Sequence, residues 1–463
     1  MPPDTLYDKE LTDTFECVGI WWEPSNSKAF LYGTLTYSPD DLAKLTTLDD
    51  YKCGVDSKNN STAFKKLLGM DDKHNKIIQG LSIRGEKITL FDSLLADIIV
   101  RAGGSSTSTF HFKTIFVGAH FNNPQEIAFR QLSIKYGHMD EWIGTNQGQH
   151  QQRLPSPVHL GEYTISVENV AAHKEIVVKS TAEEKSFAQY YDMVYYYQNF
   201  LSLVIMEPVY PLTVDGITPR DGGASQVRIF FQREGRSQPS HDKLQPQHMS
   251  LTYQQIEGHY VDYVKNLLDD SSIRPVLDVF FDYYYKQPSL EANRFLSLTQ
   301  CIEGFHRLAC GGGYMTRKQY ERGILEEFKK SIDRFVEEHK IDVKTAQGLK
   351  EKLTHVYEFS LNKRLRDLLK NEVVSSFGSL FVIGITINDF ATFVVKLRNQ
   401  LTHPDESPQI EIPSIKLKLL NDKLELFFFT LTLKQIGATT DVISTAIGNQ
   451  KFQHLRQQVE AAL

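Results

Sequence analysis

Apolar residues follow two different patterns along this chain. In roughly the first 180 residues they alternate, or run together, over short stretches rich in β-branched and aromatic side chains, which is typical of strands. A tight turn at Arg84, Gly85 and Glu86 predicts a hairpin between two of these stretches. Together they predict a sandwich-like or barrel-like β-domain over 1–184. The predicted strands lie at 30–37, 77–83, 87–94, 110–117, 128–136, 163–167 and 175–180.

A mixed region follows the predicted strands. Residues 186–204 place their tyrosines at helical spacing, whereas 215–225 are rich in glycine, proline and aspartate and predict a loop. A strand at 227–232 and helices at 251–265 and 273–285 come next. We therefore expect 185–286 to form a bridging region that belongs partly to the N-terminal domain.

From residue 287 to 463 the pattern is helical, so the predicted fold class is α+β with an all-α C-terminal bundle. The residues that recur every three or four positions on the first helix form one stripe: Phe295, Leu298, Ile302, Phe305 and Ala309. Glycines at 311–313 predict its end. Further helices are predicted at 320–339, 343–357, 361–371, 415–429 and 452–461.

Another predicted helix ends in a polar segment. Its stripe of Phe390, Val394, Leu397 and Leu401 should be buried, and Asn388 is a reasonable N-cap. The proline at position 404 disfavours helical geometry in the residue before it, so the helix should end at position 403. The residues that end it read Arg398-Asn399-Gln400-Leu401-Thr402-His403.

These end residues suit work on a phosphodiester. Asn399 and His403 are four apart and share a face away from the stripe, with Arg398 to one side. Arginine can hold two phosphate oxygens at once, and histidine can move a proton off a 2′-hydroxyl or onto a leaving 5′-oxygen. That chemistry needs no metal. Spacing alone leaves a simpler interpretation open, because cations are common at exposed helix C-termini.

Composition narrows the class of protein. A formal net charge of -6 over 463 residues argues against a general nucleic-acid coat protein, but it permits a local basic groove. Four scattered cysteines predict neither a disulfide framework nor a zinc site. No secretory signal, membrane span, phosphate-binding loop or metalloprotease motif is evident, so we expect a cytoplasmic protein without metal or cofactor.

Three further sets of residues have two interpretations each. Glu303 and Arg307 predict an ion pair within one helix, or an accessory polar group near the catalytic helix. Lys363, Arg366 and Lys370, with Arg364 beside them, predict a solvated basic face or a track for the RNA backbone. Trp21 and Trp22 predict β-domain core in preference to a ligand platform.

Longer segments resemble a known family. The hexapeptide at 398–403 is similar to the R-x4-6-H motif of the HEPN superfamily, which often has Asn directly after Arg. Residues 294–307, which read RFLSLTQCIEGFHR, resemble the first long helix of the ApeA-like HEPN group. The blocks 19–22, 33–35 and 116–121, followed by Trp142, are similar to the N-terminal domain of ApeA-like anti-phage defence proteins.

The resemblance implies a metal-independent endoribonuclease that acts in abortive infection as a homodimer or a higher even oligomer. Arg398 and His403 would carry the reaction, and Asn399 would orient phosphate or histidine. The substrate would be RNA, with transfer RNA one candidate, and a phage-derived trigger would act through the β-rich domain as sensor. Two alternatives stay open: a HEPN bundle that binds RNA, nucleotide or a partner without cutting, and a structural oligomerisation protein.

Overall fold

The computed structural model describes residues 5–28, 30–47, 77–100, 106–144, 154–171, 173–220, 223–232, 243–375, 377–382, 385–403, 410–449 and 452. Its contacts divide the chain into two compact units. The first comprises Met1–Asp269, Tyr285–Gln287 and Ser444–Lys451, and the second Asp270–Tyr284, Pro288–Ile443 and Phe452–Leu463. The residues from 185 to 269 therefore fall within the first unit.

A closed barrel of six antiparallel strands begins the first unit. In space the strands follow the order β3-β2-β1-β4-β5-β6, and a pairing of β3 with β6 closes the ring. The fold prediction is confirmed, and of its two β-rich forms the barrel is the one present. The strands are β1 (Phe15–Trp22), β2 (Leu31–Tyr37), β3 (Ala43–Thr47), β4 (Ile77–Ser82), β5 (Lys87–Val100) and β6 (Ser106–Val117).

Trp21 fills the barrel interior. It is completely buried, and its indole N–H donates to the carbonyl of Gly33 at 3.1 Å. A Cβ on Gly80 would lie 2.2 Å from the indole ring, so only glycine leaves room for it. Trp22 is half-buried and donates to Oε1 of Gln79 at 2.9 Å. Both tryptophans therefore belong to the framework of the domain, as predicted.

The same sheet continues beyond the barrel through β6, which pairs with β14 along its C-terminal end. The strand order from there is β14-β13-β8-β11-β10-β9, and β7 pairs with β12 in a separate small ladder. These strands are β7 (Ala128–Phe129), β8 (Gln131–Tyr136), β9 (Val158–Leu160), β10 (Tyr163–Val170), β11 (His173–Ser180), β12 (Lys185–Ser186), β13 (Pro211–Arg220) and β14 (Gly223–Phe231).

The loop predicted at 215–225 is wrong, because β13 and β14 form a ladder there. Asp215 lies opposite Arg228, and the guanidinium donates to both carboxylate oxygens at 2.7 and 3.0 Å. A Cβ on Gly216 would meet the ring of Phe129 at 2.4 Å, so this glycine marks a close approach and not a turn. Cross-strand pairing thus satisfies residues whose local preferences indicate a loop.

Among its described residues, the main part of the first unit also contains the helices α1 (Met139–Ile143), α2 (Phe187–Ile205), α3 (Tyr253–Ile256) and α4 (Tyr260–Asp269). The predicted tyrosine-rich helix is α2, and its Ser186 N-cap forms a capping box with Gln189. Tyr197 of α2 and Tyr260 of α4 join their buried hydroxyls at 2.9 Å. Short 3₁₀ helices lie at Leu6–Asp8, Pro24–Asn26, Pro124–Glu126 and Pro246–His248.

The second unit is helical, as predicted. Its described residues form the helices α5 (Arg274–Lys286), α6 (Glu291–Ala309), α7 (Arg317–Gln319), α8 (Glu326–Glu337), α9 (Val343–Leu353), α10 (Leu361–Leu369), α11 (Glu372–Ser375), α12 (Gly378–Phe381), α13 (Ile387–Thr402), α14 (Ser414–Gln435) and α15 (Thr440–Gly448). The end of α5 from Tyr285 and the part of α15 from Ser444 are assigned to the first unit. A π-helical stretch at Tyr320–Leu325 joins α7 to α8. The sequence patterns missed α15, and the helix predicted at 452–461 lies outside the described residues except Phe452.

Helix α6 is the centre of this bundle and packs against α10, α13 and α14. Phe295, Leu298, Ile302 and Phe305 are buried as predicted, but Ala309 is exposed because it lies in the last turn. Gly311 then adopts a positive φ of 90°, which ends the helix where the glycines predicted. The α13 helix thus packs against a helix with a continuous buried stripe.

Candidate active site on helix α13

Capping and burial fix where α13 lies. Its N-cap is Thr386, whose side-chain oxygen accepts from the backbone N–H of Asp389 at 3.1 Å, so the N-cap predicted at Asn388 is wrong. Thr386 is the N-cap in place of Asn388, and its hydroxyl also donates to the Asp389 carboxylate at 2.7 Å. Phe390, Val394 and Leu397 are buried as predicted, whereas Leu401 is only half-buried in the last turn.

The polar end of α13 presents the predicted residues to solvent. Asn399 and His403 are exposed and Arg398 is half-buried. Nη1 of Arg398 donates to Oδ1 of Asn399 at 3.4 Å, which brings the cationic and amide groups together. His403 is the C-cap with φ -135° and ψ 84°, and its N–H donates to the carbonyl of Asn399 at 2.8 Å. The imidazole is therefore attached to a backbone position outside the helical region.

Gln400 makes the next contact in this segment. Its Nε2 donates to the carbonyl of Ile410 at 3.2 Å, and the N–H of Ile410 donates to its Oε1 at 2.6 Å. The side chain is thus bonded to both backbone groups of one residue, just ahead of α14. Sequence patterns gave no signal for this contact, because the partner is a peptide group on a later segment.

Glu303 and Arg307 form the predicted ion pair within α6, with Nη2 of Arg307 3.6 Å from Oε1 of Glu303. The same guanidinium lies 2.9 Å from Glu358, on the segment before α10. No hydrogen bond or ion pair among the described residues links Glu303 or Arg307 to Arg398, Asn399 or His403. Their contacts support the bundle; an accessory part in catalysis remains a proposal.

Arg364 lies next to Glu303 and Glu358 inside the bundle, and not beside a solvated face. It is completely buried, and its guanidinium donates to the carbonyls of Phe359 at 2.9 Å and Gly312 at 3.0 Å. Burial, followed by repulsion from Arg307, lowers the pKa of Arg364, and Glu303 and Glu358 oppose that effect. Arg364 therefore ties the turn after α6 to the start of α10.

The other three cations of α10 differ from one another. Lys363 binds Asp367 at 2.8 Å and lies over the ring of Phe359, while Lys370 is exposed. Nη1 of Arg366 donates to Oδ1 of Asn388 at 3.4 Å. Asn388 is ten residues before Arg398, and at 1.5 Å per residue that separates them by about 15 Å along α13. Arg366 thus lies toward the opposite end of α13 from the catalytic candidates.

His306 is a buried titratable residue that the sequence patterns did not single out. Its residue surface is 1% exposed, and its Nε2 lies 3.5 Å from Oδ2 of Asp367. Burial, followed by the positive charge of Arg364, lowers the pKa of His306, although Asp367 acts in the opposite direction. His306 is therefore neutral at neutral pH. Its position next to Phe305 on α6 allows a prediction of burial, but not of its contact with Asp367.

The first unit contains a cavity of about 950 Å³. Its walls include Phe187 and Tyr191 of α2, with ring centroids 6.0 Å apart, and Phe231 of β14. Asp92 on the wall has a positive φ of 63° and binds Lys113 at 2.7 Å. A left-handed conformation at a residue other than glycine is costly, so the surrounding structure must hold Asp92 in place.

Comparisons with known families agree with this architecture. A family model for the ApeA N-terminal domain 1 matches residues 16–169, which contain the barrel. A second model, for the Apea-like HEPN domain, matches residues 296–442, which contain α13 and its polar end. The chain belongs to the ApeA-like HEPN proteins. No curated protein and no solved structure matches it.

Membership of the ApeA-like HEPN group supports a HEPN-type defence protein and an RNA-related function. Within the described ranges, no helix is both long and apolar enough to cross a membrane. Nor do the described His, Cys, Asp and Glu residues form a group of three or more that could hold a metal ion.

Proposed function

We propose that this ApeA-like HEPN protein is an endoribonuclease whose reaction is carried by Arg398 and His403. The observation that supports it most is the grouping of Arg398, Asn399 and His403 at the exposed end of one helix whose other face is buried. A guanidinium, an amide and an imidazole supply charge, orientation and proton transfer. Their anchoring helix is rigid because Val394 and Leu397 are buried in the bundle.

The proposed reaction is an internal transfer within the RNA chain. The 2′-hydroxyl loses its proton to a base and its oxygen attacks the adjacent phosphorus, while the bond from phosphorus to the 5′-oxygen breaks. The leaving 5′-oxygen takes a proton, so the products are a 2′,3′-cyclic phosphate and a 5′-hydroxyl. His403 is the proton-transfer group, and Arg398 holds the non-bridging oxygens as their charge rises. Asn399 orients the guanidinium through their hydrogen bond.

Incubation of the purified full chain with total RNA in EDTA tests the proposal. We expect cleavage to persist in the chelator and the new ends to carry a cyclic phosphate, or its hydrolysis product, and a 5′-hydroxyl. Transfer RNA should be followed separately as one candidate substrate. A strict magnesium requirement with 5′-phosphate ends would contradict the mechanism, and RNA binding without cleavage would favour the non-catalytic alternative.

We also propose that the β-rich unit regulates this activity in abortive infection, with a phage-derived trigger. The aromatic cavity beside α2 supports a binding role, since ligand sites in proteins are concave, largely apolar and supplied with few polar groups. Cleavage by the full chain should rise when extract from infected cells is added, relative to extract from uninfected cells. An equal rate in both extracts would contradict the proposed trigger.

A further inference from the structure

The Gln400 carboxamide and the Ile410 backbone form a closed pair of hydrogen bonds. One bond runs from Nε2 to the Ile410 carbonyl at 3.2 Å, and the other from the Ile410 N–H to Oε1 at 2.6 Å. The carboxamide and the backbone of Ile410 each give one donor and one acceptor, as paired residues on adjacent strands do. We call this pair the Gln400 clip.

We propose that Gln400 is a positioning residue for His403, on the basis that the proposed ribonuclease reaction is correct. The clip fixes the point to which the chain must return after His403. Before His403, the chain is held by the bond from its own N–H to the Asn399 carbonyl at 2.8 Å. His403 therefore lies in the chain between two anchored residues, Asn399 and the Ile410 that Gln400 holds.

His403 depends on such anchoring because of where it lies. Its φ and ψ have left the helical region, and its side chain is exposed, so helix packing does not hold the ring. Gln400 itself is half-buried, one residue before the half-buried Leu401, so its carboxamide is held more firmly than an exposed side chain. Misplacement of a catalytic group by about 1 Å can lower a rate about 100-fold. Loss of the clip should therefore lower kcat, while RNA binding changes little.

Gln400→Glu gives a sharp test because a protonated glutamate has the same hydrogen-bonding groups as glutamine. Its O–H can donate to the Ile410 carbonyl, and its C=O can accept from the Ile410 N–H. The ionised form has no donor and sets a negative charge against the carbonyl oxygen. Hydrogen bonding to the protonated form should also raise the pKa of this glutamate above its ordinary value of about 4.3.

The measured quantity is the ratio of kcat for Gln400→Glu to kcat for the natural protein between pH 4.5 and 8. We expect a ratio of about 0.1 or less at pH 8 that rises several-fold toward pH 4.5, with KM nearly constant. Arg398, His403 and Glu411 lie on the adjoining segments and are present in both proteins, so the ratio removes their common effect. Gln400→Leu should stay slow at every pH. Gln347→Glu, on the exposed face of α9, is the matched control and should keep a ratio near 1.

Hydrogen exchange at the Ile410 amide separates this proposal from the proposed function, because it requires no cleavage. We expect that amide to exchange at least about tenfold faster in Gln400→Leu than in the natural protein. If the natural protein cuts no RNA but this difference is present, the clip stands and its catalytic purpose is overturned with the ribonuclease. If the natural protein cuts RNA and the kcat ratio for Gln400→Glu is flat near 1, Gln400 does not position His403.

Discussion

Arg398 and His403 can be tested apart from the stability of the helix that carries them. Both side chains reach solvent, so Arg398→Ala and His403→Ala should change the free energy of unfolding by no more than about 0.5 kcal/mol. Each should lower the rate of RNA cleavage by at least about 100-fold, because charge stabilisation or proton transfer is lost. Rates and urea denaturation curves of the purified variants measure the two effects.

Leu397→Ala is the matched structural control on the same helix. Leu397 is 1% exposed, so truncation should leave a cavity and lower the free energy of unfolding by about 2–5 kcal/mol. The half-buried Leu401 should cost less than that. If the Arg398 and His403 variants unfold as readily as Leu397→Ala, the two residues are structural and the catalytic assignment fails.

His306 should make stability depend on pH. Burial, and after it Arg364, lowers the pKa of His306 in the folded protein, whereas the unfolded chain titrates near about 6.5. Below that pH the unfolded state binds a proton that the folded state does not, so the His306 contribution is complete above pH 6.5 and is lost as the pH falls toward the folded value. Asp367 and Lys363, the other charged groups facing the ring, act in opposite directions.

The measurement for His306 is the free energy of unfolding from pH 5 to 8 in the natural protein and in His306→Gln. Glutamine cannot titrate, so the natural protein should lose stability relative to the variant as the pH falls through the window just below 6.5. Groups that the two proteins share cancel in the difference. Two curves that remain parallel would show that His306 titrates alike in the folded and unfolded chain.

Single residues also show what sequence patterns can reveal. The spacing of Phe390, Val394 and Leu397 predicted the buried stripe, and the neighbouring polar residues then had to be exposed. Arg364 is an exception. A charged residue on an amphipathic helix is expected in solvent, but Arg364 is buried. It is buried because two backbone carbonyls, from Phe359 and Gly312, accept from it. Such partners are distant in sequence or lie in turns, where residue periodicity carries no information.

At the scale of elements, variants of α10 and its C-cap test whether their basic residues bind RNA. Replacement of Lys363, Arg366 and Lys370 by glutamine should weaken binding and flatten its salt dependence by roughly one unit of slope per lost phosphate contact. Lys363 already binds Asp367, so we expect the exposed Lys370 to contribute more than Lys363. Titrations at several salt concentrations measure the slope.

Two lysines of α8 provide a control for α10. Lys329 and Lys330 form ion pairs with Glu326 and Glu327 on their own helix, and their replacement removes charge elsewhere in the same unit. If the α10 variant leaves the salt dependence of RNA binding unchanged, the basic face of α10 is ordinary solvated surface. An equal change from the α8 variant would indicate a general effect of net charge and not a track on α10.

Whole-molecule organisation was predictable as far as local patterns determine it. The alternation of short strands predicted the β-domain, and Phe15, Cys17 and Trp21 of β1 are buried while their neighbours are more exposed. Barrel closure depends on β3 meeting β6, a pairing that strand patterns alone do not specify. The β13–β14 ladder was missed for the same reason, since Asp215 and Gly216 find their partners across strands.

The exposed end of α13 also bears on how many chains assemble. In a single chain Asn399 and His403 are exposed, and in open water electrostatic help to a reaction is weak. Two α13 ends that met would exclude water and bring two arginines and two histidines together. We therefore expect light scattering to show a homodimer or a higher even oligomer.

A mixed dimer tests whether the two chains share a site. Arg398→Ala and His403→Ala chains carry different tags, are co-expressed, and the heterodimer is purified on both. If a site takes its arginine from one chain and its histidine from the other, one of the two sites keeps both groups, and cleavage should return to about half the natural rate. If each chain forms its own site, both sites lack one group and the heterodimer stays as slow as the single variants. The matched homodimers of each variant set that baseline, so an assembled heterodimer no faster than they are would contradict the shared site while leaving the proposed chemistry intact.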